Sequence, residues 1–383
     1  PYMDHAETDL NPRYDRGTLK EVYEMIGKDI AEGIPLIDDT SYAVPKYHFN
    51  YKAACCFASR YYLFIQDWDN AIKYATEALT SNPTSLLRDY DAIAAIPNGT
   101  SRHQAYVQSS SSANFLVQAA TSSAGTVFGW YTTAGRYAHG KLQGTYETVQ
   151  PKYGGPWGNS VYFKAGHAVL ASSGKYILPR IWYTFQYTDP VAGTGYSKAV
   201  SVLFCMEEAL LNRAEAYVMK MQEDPSALDS ALADMNMYAS NLFSSGFTPM
   251  TEESIKKWAT ETYPNYSELY VGKTSETSPQ TLNPKKKLFA PPYNALEKGG
   301  TQESMLQALL FMRRYQFLHE GMRWFDTRRF GITVYRYTLD EDDETVLQIT
   351  DQISDEDGTP DPRRALQLPS DVIAAGLTPN PRN

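Results

Sequence analysis

Six histidines, three cysteines and 44 acidic side chains are the groups in this 383-residue chain from which a reactive centre could be built. His5, His48, His103, His139, His167 and His319 make no HxxxH or HExxH pair, so a zinc ion held on one helix face is not indicated. A GxSxG turn, which would raise a serine nucleophile above a sheet, is absent. The stretch GRYAHGKL at 135–142 has the glycine and lysine spacing of a phosphate loop. Leu142, however, stands where a hydroxyl would have to hold magnesium, and no clear helix follows. DEDG at 355–358 has the acidity of a calcium loop, yet Ile353 occupies the position of the first acidic ligand. Glycosidase carboxylates need only meet in space, and nothing in the order of residues singles out such a pair. Glu207 and Glu208 are expected on the polar side of a helix, solvated or ion-paired. Cys55, Cys56 and Cys205 form no CxxC pair and read as small buried thiols. The expectation is a protein with no catalytic residues, no cofactor and no metal.

Binding is the chemistry that remains. Tyrosine is abundant, at 29 copies, and its flat face with a terminal hydroxyl suits sugars and peptides as well as cores. Trp130, Tyr131, Tyr137, Tyr153, Trp157 and Trp182 fall in or beside turn-rich segments, where a rigid scaffold commonly carries its binding loops. Each ring can equally be a core ring. The net charge of −9 argues against a general phosphate-binding surface, and therefore against nucleic acid. The lysines at 285–287 read as a solvated loop in an acidic whole. No run of eighteen apolar residues is present to span a bilayer.

These residues need elements to position them. Thr18 and Glu21 have capping-box spacing ahead of a helix carrying Leu19, Val22, Tyr23, Ile26 and Ile30 at helical intervals. In YKAACCFASRYYLFIQDWDNAIKYATEALTSNP, at 51–83, two alanine-rich helical faces flank a break at Gln66-Asp67, and Pro83 ends the second. Small side chains on facing helices permit close antiparallel packing, and the second helix resembles a tetratricopeptide helix through Trp68, Ala71, Ala75, Ala78 and Pro83. One such hairpin cannot bury its own faces. Partner helices are expected at 201–243, with Leu203, Met206, Leu210, Ala214 and Tyr217 on one face and a new start at Asp224-Pro225. A third helical block is expected at 301–330. Residues 98–200 and 262–300 read as loop-rich, with short strands at Thr126–Thr132 and Arg180–Tyr187 in the first. ITVYRYTL and TVLQIT, around an acidic tip, predict a hairpin within 331–383. The fold class is therefore mainly α, a scaffold of tetratricopeptide-like hairpins at 15–84, 201–243 and 301–330 carrying a loop-rich part with short strands.

The densest signal is RRYQFLHEGMRWFDTRR at 313–329, five arginines and four aromatics in seventeen residues. With Leu306, Leu310 and Phe317 as the buried stripe, Arg314 falls on that stripe and must be paired, because an unpaired buried charge is very costly. Glu320 and Asp326 lie three residues from Arg323, and Asp326 three from Arg329, so acids and bases are spaced to satisfy one another. Gly321 allows another segment to approach closely. Arg313, Arg314, Glu320, Arg323 and Asp326 thus read as a structural lock. The wider segment MLQALLFMRRYQFLHEGMRWFDTRRFGI resembles the hallmark of the SusD/RagB family. LLNRAEAYVM is similar to that family's AEA helix, residues 51–79 to its tetratricopeptide hairpin, and DPRRALQLPSDVIAAGLTPNPRN to its ending. The resemblance covers nearly the whole chain as one SusD-like unit and is weakest in the middle. Two departures are an absent lipoprotein signal with its anchoring cysteine, and Met312 where an acidic residue is common.

The resemblance implies an outer-membrane lipoprotein facing the cell exterior, held to the membrane only through an N-terminal lipid anchor that this chain lacks. It implies capture of oligosaccharides, or in some members peptides, for a TonB-dependent SusC-like transporter, with no bond broken. No family binding residue maps by motif. The expected contacts are therefore stacking by Trp130, Tyr131, Tyr137, Tyr153 and Trp157, with hydrogen bonds from Arg136 and Asn159. The alternatives are a tetratricopeptide adaptor holding a protein partner and a carbohydrate hydrolase.

Overall fold

The computed structural model describes residues 2, 5, 6, 8, 17–128, 140–144, 148, 154–158, 163–164, 168–170, 175–177, 180–243, 247–262, 285–343 and 346–382, with backbone only at 128, 168–170 and 175–177. Helix α1, Leu19–Gly33, opens on the capping box, in which Thr18 and Glu21 satisfy each other's backbone amides. Helices α2, Tyr51–Phe64, and α3, Trp68–Leu79, form the predicted hairpin. Gln66 turns the chain with a left-handed φ of 62°, and Asp67 caps α3 through the amide of Asn70. Ala71, Ala75 and Ala78 are fully buried, which lets α3 lie close against its neighbours.

The middle of the chain is more regular than its turn-rich composition predicts. Short helices α4, Tyr90–Ala95, and α5, Gly99–Tyr106, precede strand β1, Asn114–Thr121. Helix α6, Ala124–Phe128, occupies the start of the predicted strand 126–132, whose remainder lies outside the described residues. Strands β2, Ala168–Leu170, and β3, Lys175–Ile177, pair with each other. Strand β4 runs Thr184–Asp189, four residues later than the predicted start. Strand β5, Thr194–Cys205, lies between β1 and β4 in an antiparallel sheet of order β1-β5-β4. Leu203 therefore belongs to this strand, whose alternating Tyr196, Val200, Val202 and Phe204 favour extended backbone, and not to the following helix.

Helix α7, Met206–Lys220, and helix α8, Ala227–Leu242, make the second hairpin, and α7 packs on α2, α3 and α8. The cap of α8, Ser226, sits two residues beyond the predicted one. Asp224 instead accepts from the Ser226 amide and hydroxyl, closing the turn ahead of the helix. Helix α9, Glu252–Lys257, leads into a wider turn at Trp258–Thr262. The predicted third block is two helices, α10, Thr301–Gln316, and α11, Met322–Arg329. His319 and Gly321, with φ of 65° and 81°, take left-handed backbone that breaks the block. Strands β6, Val334–Leu339, and β7, Val346–Ile353, form the predicted hairpin, and helix α12, Ser370–Ala374, lies near the end. One large core joins α2, α7, α8, α9 and α10 with the start of β1. Among the described residues no helix is long and apolar enough to cross a membrane.

Candidate functional site

Helix α7 organises the polar interior. Glu207 and Glu208 are both buried, not on a solvated face, and each binds an arginine from earlier in the chain. Arg88 donates from Nε and Nη2 to Glu207 at 2.7 and 3.2 Å, and Arg60 does the same to Glu208 at 2.6 and 2.8 Å. Burial opposes ionisation of Glu207, but the Arg88 guanidinium outweighs it and leaves the carboxyl below its ordinary pKa. One turn on, Asn212 accepts from Nη1 of Arg313 at 2.9 Å. Another turn on, Glu215 accepts from Nη2 of Arg329 at 2.8 Å. Asp326 receives Nε of Arg313 at 3.0 Å and lies 3.7 Å from Arg329.

The hallmark arginines therefore form a lock, with two changes to the predicted pairing. Arg313 is the buried member and Arg314 is only half-buried, because α10 is enclosed on nearly every side and the stripe through Leu310 and Phe317 does not define its inner face. Glu320 accepts from the Tyr106 hydroxyl at 3.3 Å; the chain turn at Gly321 places it outside α11, where the three-residue spacing to Arg323 no longer applies.

Above this lock, between the end of β5, helix α2 and the 317–322 turn, lies a cavity of about 420 Å³ reached by Arg180, His319 and Glu320. Burial pushes the Glu320 carboxyl up to about 7 against the opposing pull of Arg180 and Arg88. Burial also lowers the His319 imidazole to about 4, and the Arg180 charge adds to that shift. Arg60, Arg180, Glu208, His319 and Glu320 supply polar groups to a cavity otherwise lined largely by apolar side chains such as Ile181, Val202, Phe204 and Phe317. Among the described residues no group of three His, Cys, Asp or Glu side chains could hold a metal ion. A second cleft of about 790 Å³ opens beside β1, between Tyr47 and the 107–110 loop.

Of the aromatic candidates, Trp157 is buried. Its ring stacks on Phe243 with centroids 4.1 Å apart, and Phe311 and Tyr315 lie beside it, so it is a core ring. Trp182 is buried as well. Trp130, Tyr131, Arg136, Tyr137, Tyr153 and Asn159 lie outside the described residues. Arg88 and Arg180 were not singled out by sequence, although a lone arginine among apolar neighbours, as in Leu178-Pro179-Arg180-Ile181-Trp182, is a usable signal of a buried cation.

Residues 1–63 match a family model described as SusD-like, starch-binding associating with outer membrane. No curated protein matches the chain in sequence. Among solved structures, a Bacteroides vulgatus ATCC 8482 protein put forward as a sugar-binding protein aligns with a TM-score of 0.55 at 16% identity over 96% of this chain and 66% of its own. A SusD-like protein from Bacteroides fragilis NCTC 9343 aligns with a TM-score of 0.51 at 15% identity, over 98% and 73% respectively. A SusD superfamily protein from Bacteroides vulgatus ATCC 8482 gives 0.50 at 16% identity over 96% and 66%. The chain thus spans about two thirds of the length of such structures, and its described residues have a SusD-like fold.

Proposed function

We propose that this chain, SusD-like in the fold of its described residues and in sequence over residues 1–63, captures oligosaccharides at the cell surface without breaking a bond. In this reading it passes them to a TonB-dependent SusC-like transporter of the outer membrane. The observation that carries the proposal is the match of residues 1–63 to a starch-binding, outer-membrane-associated family on a scaffold that continues in SusD-like form to the last helix. The loop-rich segment 98–200, with Trp130, Tyr131 and Tyr137, is the proposed source of ligand contacts. A tetratricopeptide adaptor would be an uninterrupted array of helical pairs. Here the β1-β5-β4 sheet and its loops are inserted in the sequence between the α2/α3 and α7/α8 hairpins, although α7 packs directly on α2 and α3.

The test is calorimetric titration of the chain with neutral glucans, xylan and mannan fragments, with a peptide library alongside, and product analysis after long incubation. Saturable glycan binding with no shortened product is expected. Glycan cleavage, or binding of peptides alone, would overturn the reading. Co-purification with a SusC-like transporter expressed beside the chain tests the delivery step, and loss of the complex in detergent extracts at all protein ratios would count against it.

A further inference from the structure

We propose that the cleft beside β1 is a groove for a neutral oligosaccharide, an assignment that rests on the glycan-capture reading and gives it a place. The cleft, open to solvent, offers about 790 Å³, within the roughly 300–1,000 Å³ common for small-ligand sites. Val107, Val117 and Val200 provide an apolar floor. Around that floor stand Tyr47, Gln104, Gln108, Ser109, Ser110 and Gln118, all uncharged and all able to hydrogen-bond. A sugar ring has apolar C–H faces and a rim of hydroxyls, and this lining offers the complement of both.

Two details suit the groove to a ligand. Among the described residues, the side-chain amides of Gln104 and Gln118 bond to no protein atom, so each offers a donor and an acceptor to a ligand. Tyr47 keeps 59% of its surface exposed, while its hydroxyl receives a hydrogen bond from Ser109 at 3.3 Å. A large ring left in water but held by its tip is a preformed stacking platform. Lys46, next to Tyr47 in the chain, does not line the cleft and donates to the Ser111 carbonyl at 2.5 Å. Among the described residues no carboxylate or guanidinium lines the cleft, which favours a neutral glycan over a uronic or sulfated one. Strand β1 is an edge strand, which raises the possibility of peptide pairing. The start of that edge is covered, since the Pro45–Tyr47 turn packs on β1 and Asn50 donates to the Phe115 carbonyl at 2.6 Å.

The experiment is calorimetry on the full chain with maltohexaose, laminarihexaose, cellohexaose, xylohexaose and mannohexaose, against trigalacturonate and an unstructured decapeptide. It is repeated with Tyr47→Ala, with Gln104→Ala/Gln118→Ala, and with Lys28→Ala on the exposed face of α1 as control. Each groove variant is expected to weaken the bound neutral glycan by about tenfold, with Lys28→Ala unchanged and all melting temperatures preserved. If Tyr47→Ala unfolds, the glutamine pair on the exposed surface decides. A bound neutral glycan with unchanged affinity in the groove variants overturns the groove and leaves glycan capture standing. Binding of trigalacturonate or the decapeptide alone overturns the neutral-ligand assignment. No binding of any glycan by the parent chain overturns glycan capture and the groove with it.

Discussion

Arg88 and Glu207 meet in a two-point ion pair, at 2.7 and 3.2 Å, with both side chains almost wholly removed from solvent. The Tyr90 hydroxyl donates to the same carboxylate at 3.1 Å, and the Arg88 guanidinium lies 4.1 Å over the Tyr106 ring. Removing one partner strands the other in a medium that cannot solvate it. Arg88→Met and Glu207→Gln are each expected to cost about 3–5 kcal/mol in urea unfolding. The double change Arg88→Met/Glu207→Gln should lose clearly less than the sum. Strict additivity would mean that the pair is not acting as one unit.

Arg329 couples α11 to α7 through Glu215, with the Tyr293 hydroxyl in the same cluster at 3.2 Å from Nη1. A double-mutant cycle over Arg329→Ala and Glu215→Ala should return a coupling of about 1–3 kcal/mol. The exposed pair of Lys20 and Glu24, 3.7 Å apart on α1, should return about 0.5 kcal/mol or less. Equal coupling in both cycles would remove the structural role assigned to the hallmark arginine.

The turn at 317–321 predicts opposite pH effects from adjacent residues. Glu320 has a folded pKa of about 7 against an ordinary 4.5, so between those values the folded chain keeps a proton that the unfolded chain has lost. Stability then falls as pH rises through that window, by about 1.4 kcal/mol per unit of separation. Glu320→Gln should therefore stabilise relative to the parent at pH 8 and have no such effect at pH 4. His319 stays neutral when folded down to about 4, whereas its ordinary pKa is 6.5, so its contribution is lost as pH drops from 6.5 towards 4. His319→Asn, a residue that accepts the left-handed backbone at this position, should remove that acid-side loss. Parallel stability-versus-pH curves for parent and variants would refute both assignments.

Gly331 has a φ of 65°, and a Cβ there would sit 2.6 Å from the Ala290 backbone nitrogen. That nitrogen and the Phe289 amide both donate to the Phe330 carbonyl, at 3.2 and 3.0 Å, so the contact ties the 285–300 loop to the end of α11. Gly331→Ala is expected to cost about 2–4 kcal/mol, the sum of left-handed backbone and a clash with main chain. Gly193→Ala tests the backbone part alone. Its φ is 66° and its Cβ would meet nothing, so about 1–2 kcal/mol is expected. Equal losses at the two sites would show that the clash is relieved.

Helix pattern, caps and the C-terminal hairpin were legible in the sequence because they depend on neighbours close in the chain. Thr18 with Glu21 and Asp67 with Asn70 are three residues apart, and the alanine face of α3 repeats within twelve. Long-range pairing was not legible. Nothing near Glu207 announces Arg88, 119 positions away, and a helix buried on nearly all sides gives no stripe from which to tell Arg313 from Arg314. The β1-β5-β4 sheet escaped for a similar reason, because turn-forming Gly, Ser and Thr masked strands whose register is set across 80 or so residues. At the cleft beside β1, glutamines and serines of unremarkable spacing come together only once β1 is paired, whereas Trp157, the most conspicuous aromatic, went to the core.

Helix α7 presents Glu207, Glu208, Asn212 and Glu215 along its length, and its partners come from both directions in the chain: Arg60 and Arg88 before it, Arg313 and Arg329 after. No contiguous piece that stops between α8 and α10 can satisfy all four. A fragment ending near residue 243 would keep the first two arginines but strip Arg313 from Asn212 and Arg329 from Glu215, and a fragment beginning at Met206 would do the reverse. The scaffold is therefore indivisible at its own centre. Limited proteolysis in the loop-rich segments should yield nicked chains whose pieces stay associated, and separation of those pieces should unfold both.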